Sequence, residues 1–167
     1  MIRTMVLAAA VSASIAAPAA LAQVSVLPTP AFIRTAAATD AYERRAGRMA
    51  TRQAANPRVR NFGRMMVRDH TRTTADLKAA IRRARLPPPP VPMLTPEQQS
   101  NILALRRLRG PGFDRAYMQQ QVQTHVQALR VFRAYAAGGD NPVLRGAAAS
   151  TVPIIQRHLT LANRILR

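Results

Sequence analysis

The chain has 167 residues, with 25 Lys and Arg against 7 Asp and Glu, no cysteine, no tryptophan and 4 % aromatic residues. This length holds one domain with one modest core. Without cysteine there is no disulfide, no thiol redox chemistry and no thiolate-bound metal, and so few rings exclude a binder that stacks single-stranded bases, so no specific nucleic-acid partner is expected.

Residues 1–22 read as a secretory signal: Arg3, a short apolar run from Met5 to Ala17, then Ala20-Leu21-Ala22 as a cleavage site before Gln23. The protein is therefore expected to be exported, to the periplasm or to the outer membrane's face. Loss of Arg3 with the signal takes the net charge from +18 to +17, which attracts anionic surfaces. Residues 23–30 are a Pro-containing spacer, and 31–167 form the folded domain.

The first helix is predicted over about 31–54. Asn56-Pro57 ends it and starts the second, with Asn as N-cap and Pro in the first turn, where its missing N–H costs nothing. The second helix runs to about 85 and stops at Pro87-Pro88-Pro89-Pro90. Thr95-Pro96-Glu97-Gln98 has the form of a capping box and opens a short helix that ends near Arg109-Gly110. A long helix follows over about 113–137, closed by Gly138-Gly139, and Asp140-Asn141-Pro142 opens the last, which runs nearly to Arg167. No segment alternates as a strand does. Two helical hairpins joined by a proline-rich crossover with an extra short helix make an all-α four-helix bundle. A faint repeat accompanies this: each half has a helix beginning near a Phe (Phe32, Phe113), then Asn-Pro, then a helix carrying His (His70, His158).

The four long helices carry apolar seams stepping by three or four residues. The seams are Phe32, Ala36, Thr39, Glu43, Ala46, Ala50; Val59, Phe62, Met66, His70, Thr73, Leu77, Ala84; Met118, Val122, His125, Leu129, Phe132, Ala136; and Leu144, Ala147, Thr151, Ile154, His158, Leu161, Ile165. All three histidines of the chain and Glu43 thus face inward, one per helix. At 1.5 Å per residue each lies about 18–24 Å into its helix, so the four can share one layer. Two readings of that layer stay open on the residues alone. One is a site for a single divalent transition-metal ion on His70, His125 and His158, completed by Glu43 or Asp69. The other is a buried hydrogen-bond network that fixes helix register. Asp69 lies about 100° off the seam and is expected to pair with a neighbouring Arg. Asp114 and Tyr117 read as a helix cap and a packing ring, and Met65, Met66 and Met118 as core filler.

Asn56-Pro57-x-Val59, Met65-Met66-Val67-Arg68-Asp69-His70, Phe113-Asp114-x-x-Tyr117, His125, Pro153 and His158 together resemble the exported bacterial family called domain of unknown function 4142. The resemblance covers about 31–166. It implies a ferritin-like four-helix fold and export, and little about activity. Family members often have acids beside the second histidine, where this chain has Thr124 and Val126. Di-iron proteins of the ferritin-like group use Glu-x-x-His pairs; here Val67, Val122 and Ile155 stand three residues before the histidines, so that chemistry is not expected.

Arg60, Arg64, Arg68 and Arg72 repeat every four residues and place four positive charges along one helix face, where they repel one another. An anionic partner, such as phosphate-bearing envelope lipids, would relieve this. The function expected is that of a non-enzymatic, envelope-associated binding protein of unknown specific role, with a mononuclear metal site if the first reading of the layer holds; a metal-dependent redox enzyme of the ferritin-like group is the alternative.

Overall fold

The computed structural model describes residues 26–167. The expected signal segment, 1–22, and the start of the spacer lie outside the described residues. Five helices make up the rest: α1 (Thr29–Gln53), α2 (Pro57–Arg83), α3 (Pro96–Arg106), α4 (Gly110–Gly138) and α5 (Pro142–Leu166). There is no strand among the described residues.

The punctuation works as its chemistry requires. Asn56 Oδ1 accepts from the Arg58 amide at 2.8 Å, and Asn141 Oδ1 from those of Val143 and Leu144 at 3.1 Å. Thr95 and Gln98 form the reciprocal capping box. α4 begins at Gly110, three residues before the expected Phe113, because Gly110 takes a positive φ of 60° and Pro111 is tolerated in a first turn. α5 continues through Pro153, whose ring is on the exposed side.

α1 packs on α2 and α4 on α5; the hairpins meet through α1 against α4 and α2 against α5. Two aspartates fix the directions. Asp114, near the start of α4, accepts from the amides of Ala55 and Asn56 between α1 and α2. Asp140, after α4, accepts from the amide and hydroxyl of Thr29 at the start of α1. The crossover with α3 therefore travels the bundle's length, and α4 runs antiparallel to α1. This is the expected four-helix bundle with a long proline-rich crossover.

The backbones of α1 and α2 approach closely at Gly47 and Gly63. A Cβ on Gly63 would lie 2.7 Å from the Ala50 Cβ and 2.8 Å from the Gly47 carbonyl.

The core forms two apolar clusters with a polar layer between them. Above the layer lie Tyr42, Ala46, Met49, Phe62, Met66, Phe113, Tyr117 and Met118, closed over by Ile102 and Leu105 of α3. Below it lie Phe32, Ile33, Ala80, Ile81, Tyr135, Leu144 and Ala148. In α5 the seam is turned by one residue from the expected one: Ala148, Ile155 and Ala162 are buried, whereas Ala147, Ile154 and Leu161 are half-buried. Adjacent apolar pairs at these positions leave hydrophobicity unable to choose between the two faces.

Candidate metal centre

Glu43, His70, His125 and His158 are all buried, at 0 %, 6 %, 2 % and 0 % exposure, in the layer between the two apolar clusters. The three imidazoles converge: one ring nitrogen from each lies within 4.8 Å of the others. His125 Nε2 and His158 Nδ1 are 3.4 Å apart.

The outward nitrogen of each ring is committed to an acceptor. His70 Nδ1–H donates to Asp40 Oδ1 at 2.8 Å. His125 Nδ1–H donates to the Gln121 carbonyl, one turn back on its own helix, at 2.8 Å. His158 Nε2–H donates to Asp69 Oδ2 at 2.9 Å. A neutral imidazole has one N–H, so these bonds set the tautomers. The nitrogens left facing the centre are His70 Nε2, His125 Nε2 and His158 Nδ1, each presenting a lone pair. His70 Nε2 has no hydrogen-bond partner at all.

The acceptors are themselves anchored. Asp40 takes hydroxyl hydrogens from Thr73 at 2.8 Å and Thr74 at 2.9 Å. Asp69 is paired with Arg68 at 2.8 Å and Arg157 at 2.9 Å. Asp69 thus pairs with arginine as expected and also orients a histidine.

Glu43 shares the layer but sits behind His125 rather than among the converging lone pairs. Its Oε2 accepts from Gln121 Nε2 at 2.7 Å, and its Oε1 is 3.9 Å from His125 Nδ1, the nitrogen facing away from the centre. A small void of about 10 Å³ beside the rings is lined by Asp40, Glu43, His70 and His125 among others, about the room one water needs.

Titration follows from these surroundings. Burial, reinforced by the other two imidazoles, holds His125 down at about 3. Burial also lowers His158, to about 4, against the pull of Asp69. In His70 burial is outweighed by the Asp40 hydrogen bond and the charges of Glu43 and Asp40, and its pKa is raised. Burial pushes the Glu43 carboxyl up to about 7. Burial would also raise Asp69, but bonds from Arg68 and His158 prevail and lower it.

The acids of this basic chain are sharply placed. Of the seven, Glu97, Asp114 and Asp140 stand at helix starts. Asp40, Glu43 and Asp69 surround the imidazoles, and Asp76 lies on an apolar groove of about 510 Å³, formed largely by α2 and α5, that reaches Asp40.

Asp40 and Gln121 are the functional residues that seam reasoning missed. Asp40 follows Ala36 by four residues and precedes Glu43 by three, so it fits the inward stripe as well as Thr39 does; Thr39 is half-buried and Asp40 buried. Gln121 carries no hydrophobic signal.

The arginine row expected to meet anions, Arg60, Arg64, Arg68 and Arg72, is placed differently from the histidines. Arg60 Nη1 donates to the carbonyls of Ala54 and Ala55, closing the end of α1. Arg64 bonds Asn61, Arg68 bonds Asp69, and Arg72 lies 3.9 Å from Asp76. Three have acceptors within the chain, and Arg72 has an ion-pair partner.

The family model described as a domain of unknown function (DUF4142) matches residues 10–165, and the chain belongs to that family. The structure is similar to that of CopM in the Cu(II)-bound form, with a TM-score of 0.72 and 16 % identity, covering 85 % of this chain and 97 % of that one. No curated protein matches the sequence.

Proposed function

We propose that this family member is an exported protein that holds one divalent transition-metal ion on His70 Nε2, His125 Nε2 and His158 Nδ1, as a binder rather than an enzyme. The observation that carries the reading is the convergence of one ring nitrogen from each of three buried imidazoles within 4.8 Å, while the other nitrogen of each ring has its own acceptor. In a hydrogen-bond network a donor would face each acceptor; here the donors all point outward. A proton shared between His125 and His158 is a poor substitute, because burial holds them at about 3 and about 4; His70, whose pKa is raised, gives up any second proton when the ion binds. A cation at the centre removes the repulsion.

The donor types fit such an ion, and because the three nitrogens lie within 4.8 Å rather than at bonding spacing throughout, binding draws the imidazoles together. Two nitrogens about 2.0–2.1 Å from one zinc-like ion at a tetrahedral angle lie about 3.4 Å apart, the spacing of His125 Nε2 and His158 Nδ1. Each ring's other nitrogen is held by a carboxylate or carbonyl, as metal-bound histidines require. Three neutral ligands leave the ion's charge to be balanced by Asp40, Asp69 and Glu43 nearby. Glu43 serves here as an outer anion.

Imidazole without thiolate or thioether favours Cu(II), Zn(II) or Ni(II) over Cu(I), and Cu(II) binds tightest in this series. The structural neighbour is a Cu(II)-bound form, which makes copper the first ion to test. The redox-enzyme alternative gains nothing from the site, where no Glu-x-x-His pair precedes the histidines. Export is supported by the N-terminal signal pattern, and among the described residues no helix is long and apolar enough to cross a membrane. Weak, salt-sensitive attraction to anionic envelope lipids follows from the charge.

The test is metal analysis of untagged protein isolated from the cell envelope. About one first-row metal per chain is expected, on a chain that begins at Gln23. A metal-free protein whose melting temperature no divalent ion raises would leave the layer as a structural network.

A further inference from the structure

A second feature of the charge distribution lies away from the histidines. Between the C-terminal half of α1 and the end of α3 is an open cleft of about 780 Å³, lined by Arg45, Arg48, Arg52, Arg106 and Arg109 with Met49 and Gln53. All five arginines are exposed, and no carboxylate lines the cleft. The ion pairs among the described residues use Arg68, Arg72 and Arg157, and none of these five.

The cleft is held rigid. Gln53 Nε2 donates to the carbonyls of Leu105 at 3.4 Å and Leu108 at 3.1 Å, tying the end of α3 to α1. Arg109 Nη1 donates to the carbonyls of Arg106 and Leu108, which ties its side chain to the end of α3. Met49, 7 % exposed, belongs to the core beneath.

Local structure explains part of this gathering. Arg52 and Arg106 stand in the last turns of their helices, where positive charge complements the helix dipole. Arg45 and Arg48 stand farther back, where the dipole offers nothing, and they add like charge to a face that already has it. Five guanidiniums around one concavity form a surface that repels itself until an anion enters. Guanidinium binds phosphate in bidentate fashion and keeps its charge throughout the neutral range.

We infer that this cleft is a binding site for a soluble anion carrying two or more linked phosphate groups. Five donors and this volume exceed what one orthophosphate can engage, and a concave floor suits a discrete chain better than a flat bilayer. The inference is independent of the metal centre.

The test is calorimetric titration of metal-free protein with sodium tripolyphosphate at physiological salt; stripping the metal prevents chelation from contributing heat. One site is expected, with orthophosphate at least about tenfold weaker. Arg48→Gln with Arg52→Gln should weaken tripolyphosphate about tenfold or more. Arg130→Gln with Arg164→Gln, exposed and outside the cleft, removes the same charge and should change it less than about twofold. Arg45→Gln with Arg109→Gln repeats the test should the first pair unfold. Equal losses from cleft and control pairs, orthophosphate binding as tightly as tripolyphosphate, or no binding would overturn the site. So would loss of binding to phosphatidylglycerol vesicles through the cleft pair while tripolyphosphate binding stays unchanged.

Discussion

In the α1–α2 hairpin two glycines let the backbones touch, and four of the chain's seven carboxylates sit on its helices. The α4–α5 hairpin has no such glycine contact, and it supplies two of the three imidazoles. The protonation preferences divide the same way. On α1–α2, Glu43 is raised to about 7 and His70 is raised, so both favour their protonated forms more than usual; on α4–α5, His125 and His158 are lowered to about 3 and about 4, so both are neutral. The difference shows that the faint repeat of the sequence is a repeat of helices and not of chemistry. One hairpin provides the carboxylates beside the rings and one imidazole, the other provides two imidazoles, and only their juxtaposition makes the proposed cation site.

The largest expected effect is on packing. Gly63→Ala places a Cβ 2.7 Å from that of Ala50 and 2.8 Å from the Gly47 carbonyl, both rigid neighbours. It should destabilise by about 3 kcal/mol, read by denaturant unfolding. A neutral result would mean that the α1–α2 contact can relax and that the two hairpins do not differ in closeness.

Next come the carboxylates that orient the rings. Asp40→Asn and Asp69→Asn should each weaken metal binding about 10- to 100-fold. Asp40 acts within its own hairpin, whereas Asp69 reaches across to His158 and Arg157. Only Asp69→Asn should therefore also loosen the two hairpins, seen as faster amide exchange along α5. Equal exchange in both variants would remove that distinction.

The pH dependence of the metal-free protein should have two arms of opposite sign. His125 and His158 are lowered in the fold, so their contribution is full above the unfolded value of about 6.5 and is lost as pH falls toward about 4 and then about 3. Glu43 is raised, so its contribution is full below about 4.5 and is lost as pH rises through about 7. Glu43→Gln should reduce the alkaline arm by about 1 kcal/mol between about pH 6 and pH 8, leaving the part that His70, also raised, contributes, and leave the acid arm in place. An alkaline arm that the substitution leaves undiminished would assign it to other groups.

The smallest effect contrasts a second glycine with the first. Gly146 lies inside α5, and a Cβ there meets nothing within 4 Å. Gly146→Ala should stabilise by about 0.5–1 kcal/mol, opposite in sign to Gly63→Ala.

Much of the frame was legible because it rests on local chemistry. Asn56-Pro57, Thr95 with Gln98, and Asn141-Pro142 mark helix starts whatever the tertiary contacts are. The inward placement of the three histidines was legible too, since each interrupts an apolar stripe. What the stripes could not decide was rotation by one residue: Thr39 against Asp40, and Ile154 against Ile155. Such choices depend on the neighbouring helix, which no single-helix period contains. The ring tautomers depend on Asp40, Asp69 and the Gln121 carbonyl, which come together only in the folded bundle. The arginine row was visible as a spacing, while the cleft formed by Arg45, Arg48, Arg52, Arg106 and Arg109 draws on residues about sixty positions apart, brought together by the crossover.

The most direct measurement is calorimetric titration of the metal-stripped protein with Cu(II), repeated with Zn(II). One ion per chain is expected, with affinity lost in His70→Ala, His125→Ala and His158→Ala alike. Glu43→Gln should still bind one ion, because its carboxylate stands behind His125. Absence of binding to the unaltered protein, or binding that persists when all three histidines are replaced, would contradict it.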